Sequence, residues 1–383
     1  MYKIALKMLI EDRTKFVGMI LSLSLSSIII IQQDAIFNGI MKRTYSMVTD
    51  TPQPDIWVMD ANTKYVDDIT PLRDTDLSRI RSIEGVKWAV PFFKGTIRAR
   101  LPNGHFETCV LIGIDDATLI GGPHTLVEGS LSALRYPDAV IINRAGAKEK
   151  LVIKKPNQPP IPLRVGDSLE LNDRQATVVG ICDATRPFHS QPIIYTTYNR
   201  ALRYVPSERK QLSYILVKSD DTLSPKALCE RIQRITPFAA HTKDDFKAMT
   251  KNYYMRNTGM PINFGIAMLL GLLVGAAIAG QIFYSFITDN LKYLALFAAM
   301  GASRWLLAKM AILQALWVAF IGWGLGSGSS AVLGFLARKT EISYLLTWEL
   351  FLGTGIAIFV ICTIALLISI GQIFKIQLWT MFK

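Results

Sequence analysis

Residues 257–288 read NTGMPINFGIAMLLGLLVGAAIAGQIFYSFIT, a run of 32 residues without a charged side chain. About 20 helical residues cross the ~30 Å hydrocarbon core of a bilayer, so this run predicts a membrane-spanning helix with residues to spare. Three further uncharged runs occupy residues 16–33, 310–337 and 350–374. The sequence therefore predicts four spanning helices, one before and three after a long polar region.

The composition agrees with a membrane protein. Of 383 residues, 50% are hydrophobic and 19% are charged, whereas soluble domains carry roughly 25% charged residues. The net charge of +12 is unevenly spread, because residues 47–256 hold 29 basic and 24 acidic side chains and leave +7 beside the apolar runs. We interpret this excess as a signal of membrane topology and predict a lipid-bilayer partner and no nucleic acid.

The basic residues beside the runs set the orientation, because cytoplasmic loops are enriched in Lys and Arg. Nine of them fall on one predicted side: Lys3, Lys7, Arg13, Lys15, Lys292, Arg304, Lys309, Lys375 and Lys383. The loop between the third and fourth runs has two basic residues offset by two acidic ones: Arg338, Lys339, Glu341 and Glu349. Both termini and residues 289–309 are therefore predicted to be cytoplasmic, and residues 47–256 to lie outside.

The predicted plan has nine segments. In chain order they are a cytoplasmic amphipathic segment (1–15), a first span with a stalk (16–46), an outer domain (47–256), a second span with a stalk (257–288) and a cytoplasmic loop (289–309). A third span (310–337), a short outer loop (338–349), a fourth span (350–374) and a cytoplasmic tail (375–383) follow. A removed signal peptide is the alternative for the first run, but no A-x-A-like cleavage site follows it. The first two spans would measure about 43 Å and 48 Å as helices, so their excess length predicts a stalk.

The outer region predicts an α+β domain. Alternating apolar residues predict strands at 56–59, 86–90, 108–114, 139–142 and 176–181. Turn formers at 102–104 and 172–173 predict hairpins, helical periodicity marks 74–83 and 224–235, and the proline-rich segment 156–162 predicts a loop or a lobe boundary.

The sequence lacks the motifs of known catalytic and metal sites. It has no G-x-x-x-x-G-K-[ST], H-E-x-x-H or G-x-S-x-G, and its four histidines have no ligand spacing. The cysteines leave open one disulfide or buried free thiols among Cys109, Cys182 and Cys229, with Cys362 in the fourth run. An anchored enzyme could use the Asp pairs at 67–68, 115–116, 220–221 and 244–245, but adjacent strand residues face opposite ways, so turns and caps are expected. The span interiors hold no Lys, Arg, His or Glu, which predicts a chain without its own energy source.

Two short patterns concern packing and coupling. Glycines at four-residue spacing predict close helix packing at Gly271 and Gly275, Gly322 and Gly326, and Gly324 and Gly328. Residues 289–305 predict a short amphipathic helix that Asp289 or Asn290 caps and Gly301 ends. Periodicity alone leaves two interpretations, a helix in the headgroup layer or a helix docked in a partner's groove.

A family resemblance favours docking. Leu294 to Ser303 resembles the cytoplasmic loop of FtsX-like ABC permeases of the MacB type, whose usual form is close to E-I-A-L-L-R-A-L-G-A-S/T. This sequence departs from that form, with Tyr293 or Leu294 where an acid is common and Ala299 near the usual Arg. Residues 83–91 and 163–181 resemble the family's outer domain, and residues 33–37 are similar to DevC-type exporter permeases.

The resemblance implies a type VII ABC permease-like fold and a non-catalytic homodimer subunit in a bacterial inner membrane. A separate ABC ATPase would hold ATP and Mg, and this chain would hold no cofactor. The implied coupling helix involves Leu291, Tyr293, Leu294, Leu296, Phe297, Met300, Gly301 and Ala302, and a charge at Met300 or Phe297 is expected to uncouple the ATPase. DevC-type members imply a periplasmic membrane-fusion adaptor and an outer-membrane channel that export a lipid or amphiphilic cargo. The alternative function is an FtsX-like transducer that activates a partner without moving cargo.

Overall fold

The computed structural model describes residues 2–153, 159–206, 211–220, 222–337, 340 and 342–374. Several predicted features fall outside the described residues: Arg338, Lys339, Glu341, Asp221, residues 375–383 and part of the proline-rich segment. The chain forms two compact units. We call Met1–Ile40 with Gly259–Lys383 the helical unit, and Met41–Thr258 the sheet unit.

The helices follow one another along the chain. They are α1 (Tyr2–Glu11), α2 (Arg13–Thr44), α3 (Ser46–Asp50), α4 (Asp74–Arg81), α5 (Tyr198–Tyr204), α6 (Pro225–Ile235), α7 (Lys243–Asn257), α8 (Met260–Asp289), α9 (Leu291–Ala299), α10 (Arg304–Ala337) and α11 (Trp348–Phe374). Among the described residues, α2, α8, α10 and α11 are long and apolar enough to cross a membrane. The predicted plan of one helix followed by three is confirmed.

The two helices next to the sheet unit end differently. The helix α2 continues without a break from Arg13 to Thr44. On the other side, α7 ends at Asn257, the extended backbone of Thr258 follows, and α8 begins at Met260, three residues after the predicted start. Pro261 lies in the first turn of α8, where its missing N–H costs no helical hydrogen bond.

Small residues bring α8 and α10 close to α2. A Cβ added at Gly271 would lie 2.8 Å from Ile29, and one added at Gly275 would overlap Ser26. On α10, a Cβ at Gly322 would lie 2.8 Å from Leu23, and one at Gly326 would lie 2.5 Å from Ser27. These four glycines therefore allow the close approach that the sequence predicts.

The prediction is wrong for the other glycine pair on α10. A Cβ added at Gly324 or Gly328 would meet no atom within 4 Å. These two glycines lie on an exposed face of the helix, whereas Gly322 and Gly326 are buried. The overlapping four-residue spacings thus fall on different faces, which spacing alone does not distinguish.

The described part of the sheet unit has twelve strands. They are β1 (Ile56–Asp60), β2 (Val86–Arg100), β3 (Phe106–Ile114), β4 (Leu126–Gly129), β5 (Ala139–Asn143), β6 (Val152–Ile153), β7 (Ile161–Pro162), β8 (Ser168–Leu171), β9 (Arg174–Cys182), β10 (Ile193–Thr197), β11 (Tyr214–Ser219) and β12 (Phe238–Thr242). Within the described residues, the main sheet has the order β12-β1-β11-β2-β3-β10-β5-β9-β4, and β8 pairs with β2 and β9. The mixed α+β class is confirmed.

Both predicted hairpins are present. The strands β2 and β3 pair antiparallel around the turn that contains Gly104, whose φ is 80°. The strands β8 and β9 join through Asn172 and Asp173, which have φ values of 45° and 63°. Positive φ at both central residues is the geometry of a type I′ hairpin turn.

Apolar residues cover the sheet on both faces. Alternate residues of β1 belong to different cores, with Ile56 and Val58 on one face and Trp57 and Met59 on the other. The first face packs against side chains of α5 and α6, and the second against side chains of α3 and α7. The strands are therefore buried on both sides rather than half-exposed.

Candidate functional site

The predicted short helix lies directly after α8. One residue, Asn290, separates α8 from α9, and the chain after α9 turns at Gly301, whose φ is 94°. The predicted stop at Gly301 is confirmed. Asn290 occupies the predicted N-cap position of α9, but its side chain makes no cap bond, because its Nδ2 donates to the Phe286 carbonyl at 2.8 Å.

The helix α9 has one covered face and one open face. Leu294 and Ala295 are buried in the apolar core of the helical unit, and Phe297 and Ala302 pack partly against that core. The open face carries large apolar side chains, with exposed fractions of 60% for Tyr293, 50% for Leu296 and 64% for Met300.

The eight predicted coupling residues therefore divide between the two faces. Tyr293, Leu296, Met300 and Gly301 are exposed, and Leu291, Phe297 and Ala302 are half-buried. Leu294 is buried. A charge at Phe297 would disturb packing as well as any docking, so Met300 is the better test position.

The covered face of α9 packs close to α1. A small cavity is lined by Met8 of α1, Leu294 of α9, Phe286 of α8, and Met310 and Gln314 of α10. Gln314 Nε2 donates to the backbone carbonyl of Ala5 at 2.6 Å. The first helix therefore packs within the helical unit and supports the junction of α8, α9 and α10.

The helices α2 and α8 form an antiparallel pair that begins at this junction. At one end Lys15 pairs with Asp289, the last residue of α8. At the other end the rings of Phe37 and Phe264 lie 5.4 Å apart. From Lys15 to Phe37, α2 rises about 33 Å, roughly the thickness of the hydrocarbon layer.

The two helices of this pair, which we call its arms, are each followed or preceded in the chain by a helix of the sheet unit. The helix α3 follows α2 in the chain, and α7 precedes α8. Met47 and Val48 of α3 share one apolar core with Phe246 of α7 and Trp57 of β1. The chain segments on either side of the helix pair thus join the sheet unit in the same core.

Polar contacts fix these segments within the sheet unit. The Asp50 carboxylate at the end of α3 accepts hydrogen bonds from the Thr185 backbone N–H at 2.7 Å and its hydroxyl at 2.9 Å. Burial raises the pKa of the Asp50 carboxyl, although the Thr185 bonds oppose that change. In α7, the Thr250 hydroxyl accepts the Val66 N–H at 3.2 Å.

The described members of the Asp pairs occupy turns, caps and ion pairs. Asp115 accepts from the Thr118 N–H at 2.8 Å, Asp245 bonds with the Thr242 cap of α7, and Asp67 pairs with Lys94. Asp220 accepts from Thr222. Across the described ranges, no three His, Cys, Asp or Glu side chains are grouped so as to hold a metal ion. All four cysteines are buried free thiols.

Sequence reasoning missed the Lys15–Asp289 pair and the Gln314 bond. The sequence distance between Lys15 and Asp289 is 274 residues, so local spacing carries no signal for their contact. One local signal existed, because Lys15 lies in the first turn of α2 and Asp289 at the end of α8. Each charge is at the helix end that its own helix dipole disfavours.

Comparison with known families gives two matches in chain order. Residues 16–235, more than half of the chain, match the MacB-like periplasmic core domain. Residues 265–378 match the FtsX-like permease C-terminal region. Comparison with curated protein sequences gives no match.

Solved structures of similar outer domains cover about half of this chain. The periplasmic region of MacB from Actinobacillus actinomycetemcomitans is 16% identical with a TM-score of 0.38, and the match covers 55% of this chain and 96% of that one. The extracellular domain of the noncanonic ABC-type transporter YknZ from Gram-positive bacteria is 13% identical with a TM-score of 0.35, over 49% and 99% of the respective chains.

The four long apolar helices and the inserted α+β region define a multi-pass membrane protein with a periplasmic or extracellular domain. The chain belongs to the FtsX-like permeases with a MacB-like periplasmic core domain. Permeases of this family are typically non-catalytic transmembrane subunits that pair with ABC ATPases.

Proposed function

We propose that this chain is the transmembrane permease subunit of an ABC exporter, and that it relays ATP-driven motion of a separate ATPase to its outer domain. One observation carries the proposal. The open apolar face of α9 adjoins the start of the α2–α8 pair, whose two arms continue into the sheet unit. A displacement received at α9 can therefore reach the α2–α8 pair through packed helices of the helical unit, and the chain continues from that pair into the sheet unit.

The open face of α9 supports docking of the ATPase. Tyr293, Leu296 and Met300 present an aromatic, an aliphatic and a flexible thioether side chain on one helix. Apolar anchors of this kind fit a groove on a partner protein. We propose that ATP and Mg bind in that partner, and that this chain supplies the docking surface on α9 and the helix pair α2–α8 that transmits the motion.

The wider assembly is part of the same proposal. The cytoplasmic location of α9 follows from the basic residues beside the spans. The similarity to DevC-type permeases supports a homodimer in a bacterial inner membrane, with a periplasmic adaptor of membrane-fusion type and an outer-membrane channel. The cargo class proposed is a lipid or another amphiphile.

The test uses the full-length chain in lipid nanodiscs with an ABC ATPase identified by its Walker motif after copurification. We expect Met300→Glu and Tyr293→Glu to weaken ATPase binding about tenfold or more, because a charge would be desolvated at the interface. Membrane insertion should not change. The matched control is Ile10→Glu, which puts the same charge on an exposed apolar position of α1.

Two outcomes would redirect the proposal. A wild-type chain that neither binds nor stimulates an ABC ATPase would overturn it, as would normal ATP turnover in Met300→Glu. Activation of an outer partner without flux of a labelled lipid would instead support the transducer function.

A further inference from the structure

An ion pair joins the beginning of α2 to the end of α8. Lys15 Nζ contacts the Asp289 carboxylate, and the Asp12 carboxylate lies 3.2 Å from the same ammonium. Asp12 also precedes α2 and accepts from the Lys15 backbone N–H at 3.4 Å. The pair thus lies where α8 gives way to α9.

Each charge of the pair complements the other helix rather than its own. The amino end of a helix carries partial positive charge and the carboxyl end partial negative charge. Lys15 lies in the first turn of α2, and Asp289 is the last residue of α8. Because the two helices are antiparallel, Lys15 meets the negative end of α8 and Asp289 meets the positive end of α2. The charges therefore favour contact between the helices and not the stability of either one.

The pair contributes little to folding by itself. The Lys15 side chain is 20% exposed and the Asp289 side chain is 59% exposed. Ion pairs so open to water are screened and have small effects on stability. Loss of the pair should leave the helical unit folded, which makes a functional role testable.

Apolar and small residues also join α2 to α8. A Cβ added at Gly18 would lie 3.3 Å from the Ile282 side chain, and Gly271 and Gly275 meet Ile29 and Ser26. The ion pair adds a charge contact to this close packing, at the end of the pair next to α9.

We propose that Lys15 and Asp289 form a clamp that makes the bases of α2 and α8 move together when α9 is displaced. The clamp fixes the register of the pair at its cytoplasmic end, so both arms transmit the same displacement. Its use in transport rests on the proposed function, but the clamp is a contact between two helices and can be tested without the ATPase.

Disulfide trapping tests the clamp directly in the full-length chain. Gly18→Cys with Ile282→Cys places two thiols across the pair, one helical turn above Lys15. In this background we expect Lys15→Glu or Asp289→Lys to slow oxidative cross-linking about threefold or more. The double charge reversal should restore only part of the rate, because its Glu at position 15 would lie beside Asp12 and both new charges would meet helix ends of their own sign. Raising the salt concentration should shrink the effect, because the interaction is between partly exposed charges.

A matched control separates the clamp from net charge. Lys7→Glu makes the same charge change at an exposed position of α1 and should leave cross-linking unchanged. The clamp is overturned if neither single reversal slows the reaction, or if the double reversal is no faster than the slower single reversal.

A second measurement connects the clamp to transport. ATPase stimulation should fall in Lys15→Glu, while ATPase binding stays at the wild-type level, and stimulation should return in part in the double reversal. A wild-type chain that binds no ATPase would overturn the proposed function, whereas the cross-linking result would still decide the clamp.

Discussion

The sheet unit and the helical unit both bury large apolar side chains, but they differ in how their elements meet and in what they expose. Large side chains such as Trp57, Phe92 and Phe246 fill the sheet unit and are fully buried. In the helical unit, glycines and serines meet at the contacts of α2, while large side chains such as Leu270 and Phe335 are exposed. The hydrophobic effect drives the packing of large side chains in the sheet unit, whereas helices in lipid associate through close contact of small residues. Cavities should therefore weaken the sheet unit, and added volume should weaken the helical unit.

The largest expected effect is in the core of the sheet unit. Trp57 is fully buried, and its ring lies 5.5 Å from Phe92 and 5.7 Å from Tyr214. Trp57→Ala should lower the free energy of unfolding of this unit by about 3–5 kcal/mol. Hydrogen exchange in the full chain should show lost protection in β1 and β11 and unchanged protection in α10. Trp88→Ala, at a half-buried position of β2, should cost less, and equal losses would contradict the account.

The thiols of the sheet unit offer a second test of burial. Burial raises the pKa of Cys182 and of Cys229 to about 12, against an ordinary 9.0. The reactive thiolate is then roughly a thousand times scarcer at neutral pH. We expect maleimide to label these cysteines only after denaturation, as read by mass spectrometry. Native labelling at the rate of a free thiol, or a disulfide-linked peptide, would contradict the structure.

A glycine pair on α10 tests the helical unit. Gly326→Val would put a Cβ 2.5 Å from Ser27 and 2.8 Å from the Ser24 carbonyl, whereas the Cβ of Gly328→Val would meet no atom of another helix within 4 Å in the described part of the chain. Overpacking of this kind costs about 1–3 kcal/mol, so the thermal midpoint in detergent should fall for Gly326→Val and stay near wild type for Gly328→Val. Equal midpoints would show that α2 and α10 do not pack as described.

The smallest effect concerns pH. Burial lowers the pKa of His241 on β12, and Asp245 partly opposes this. Between the lowered pKa and about 6.5, the unfolded chain binds more protons than the folded chain, so stability falls as the pH falls through this window. His241→Gln should remove that dependence, by less than about 1 kcal/mol after solvent screening. The measurement is the thermal midpoint of the sheet unit from pH 7.5 to 5; an unchanged slope in His241→Gln would assign the dependence elsewhere.

The sequence predicted the helices better than the sheet. Four uncharged runs have the length that a bilayer demands, so the spans follow from simple counting. The strand predicted at 86–90 is only the first third of β2, because Lys94, Gly95 and Arg98 interrupt its apolar alternation. Seven strands within the described residues were not predicted: β4, β6, β7, β8, β10, β11 and β12. Four of them, β4 and β6 to β8, have at most four residues, too few for an alternating pattern to stand out. The order of the strands depends on pairings between distant segments, which no local pattern encodes.

Only part of the candidate site was predicted, because its local features have a sequence pattern and its contacts between distant segments have none. The existence and end of α9 follow from its apolar run and Gly301. Which of its residues are exposed depends on packing against α1, α8 and α10. The sequence pattern predicted the same role for Leu294 and Met300, although Leu294 is buried and Met300 is exposed. The residues of the Lys15–Asp289 pair lie on opposite sides of the outer domain in the sequence, so only the folded chain reveals their contact.

The most direct test of the relay measures the outer domain while ATP acts on the other side of the membrane. Hydrogen exchange is followed in α3 and α7 of the reconstituted complex, before and after addition of ATP and Mg. We predict an ATP-dependent change in both helices in the wild-type complex and none in Met300→Glu. An unchanged outer domain in the active wild-type complex, or an equal change in Met300→Glu, would contradict the account.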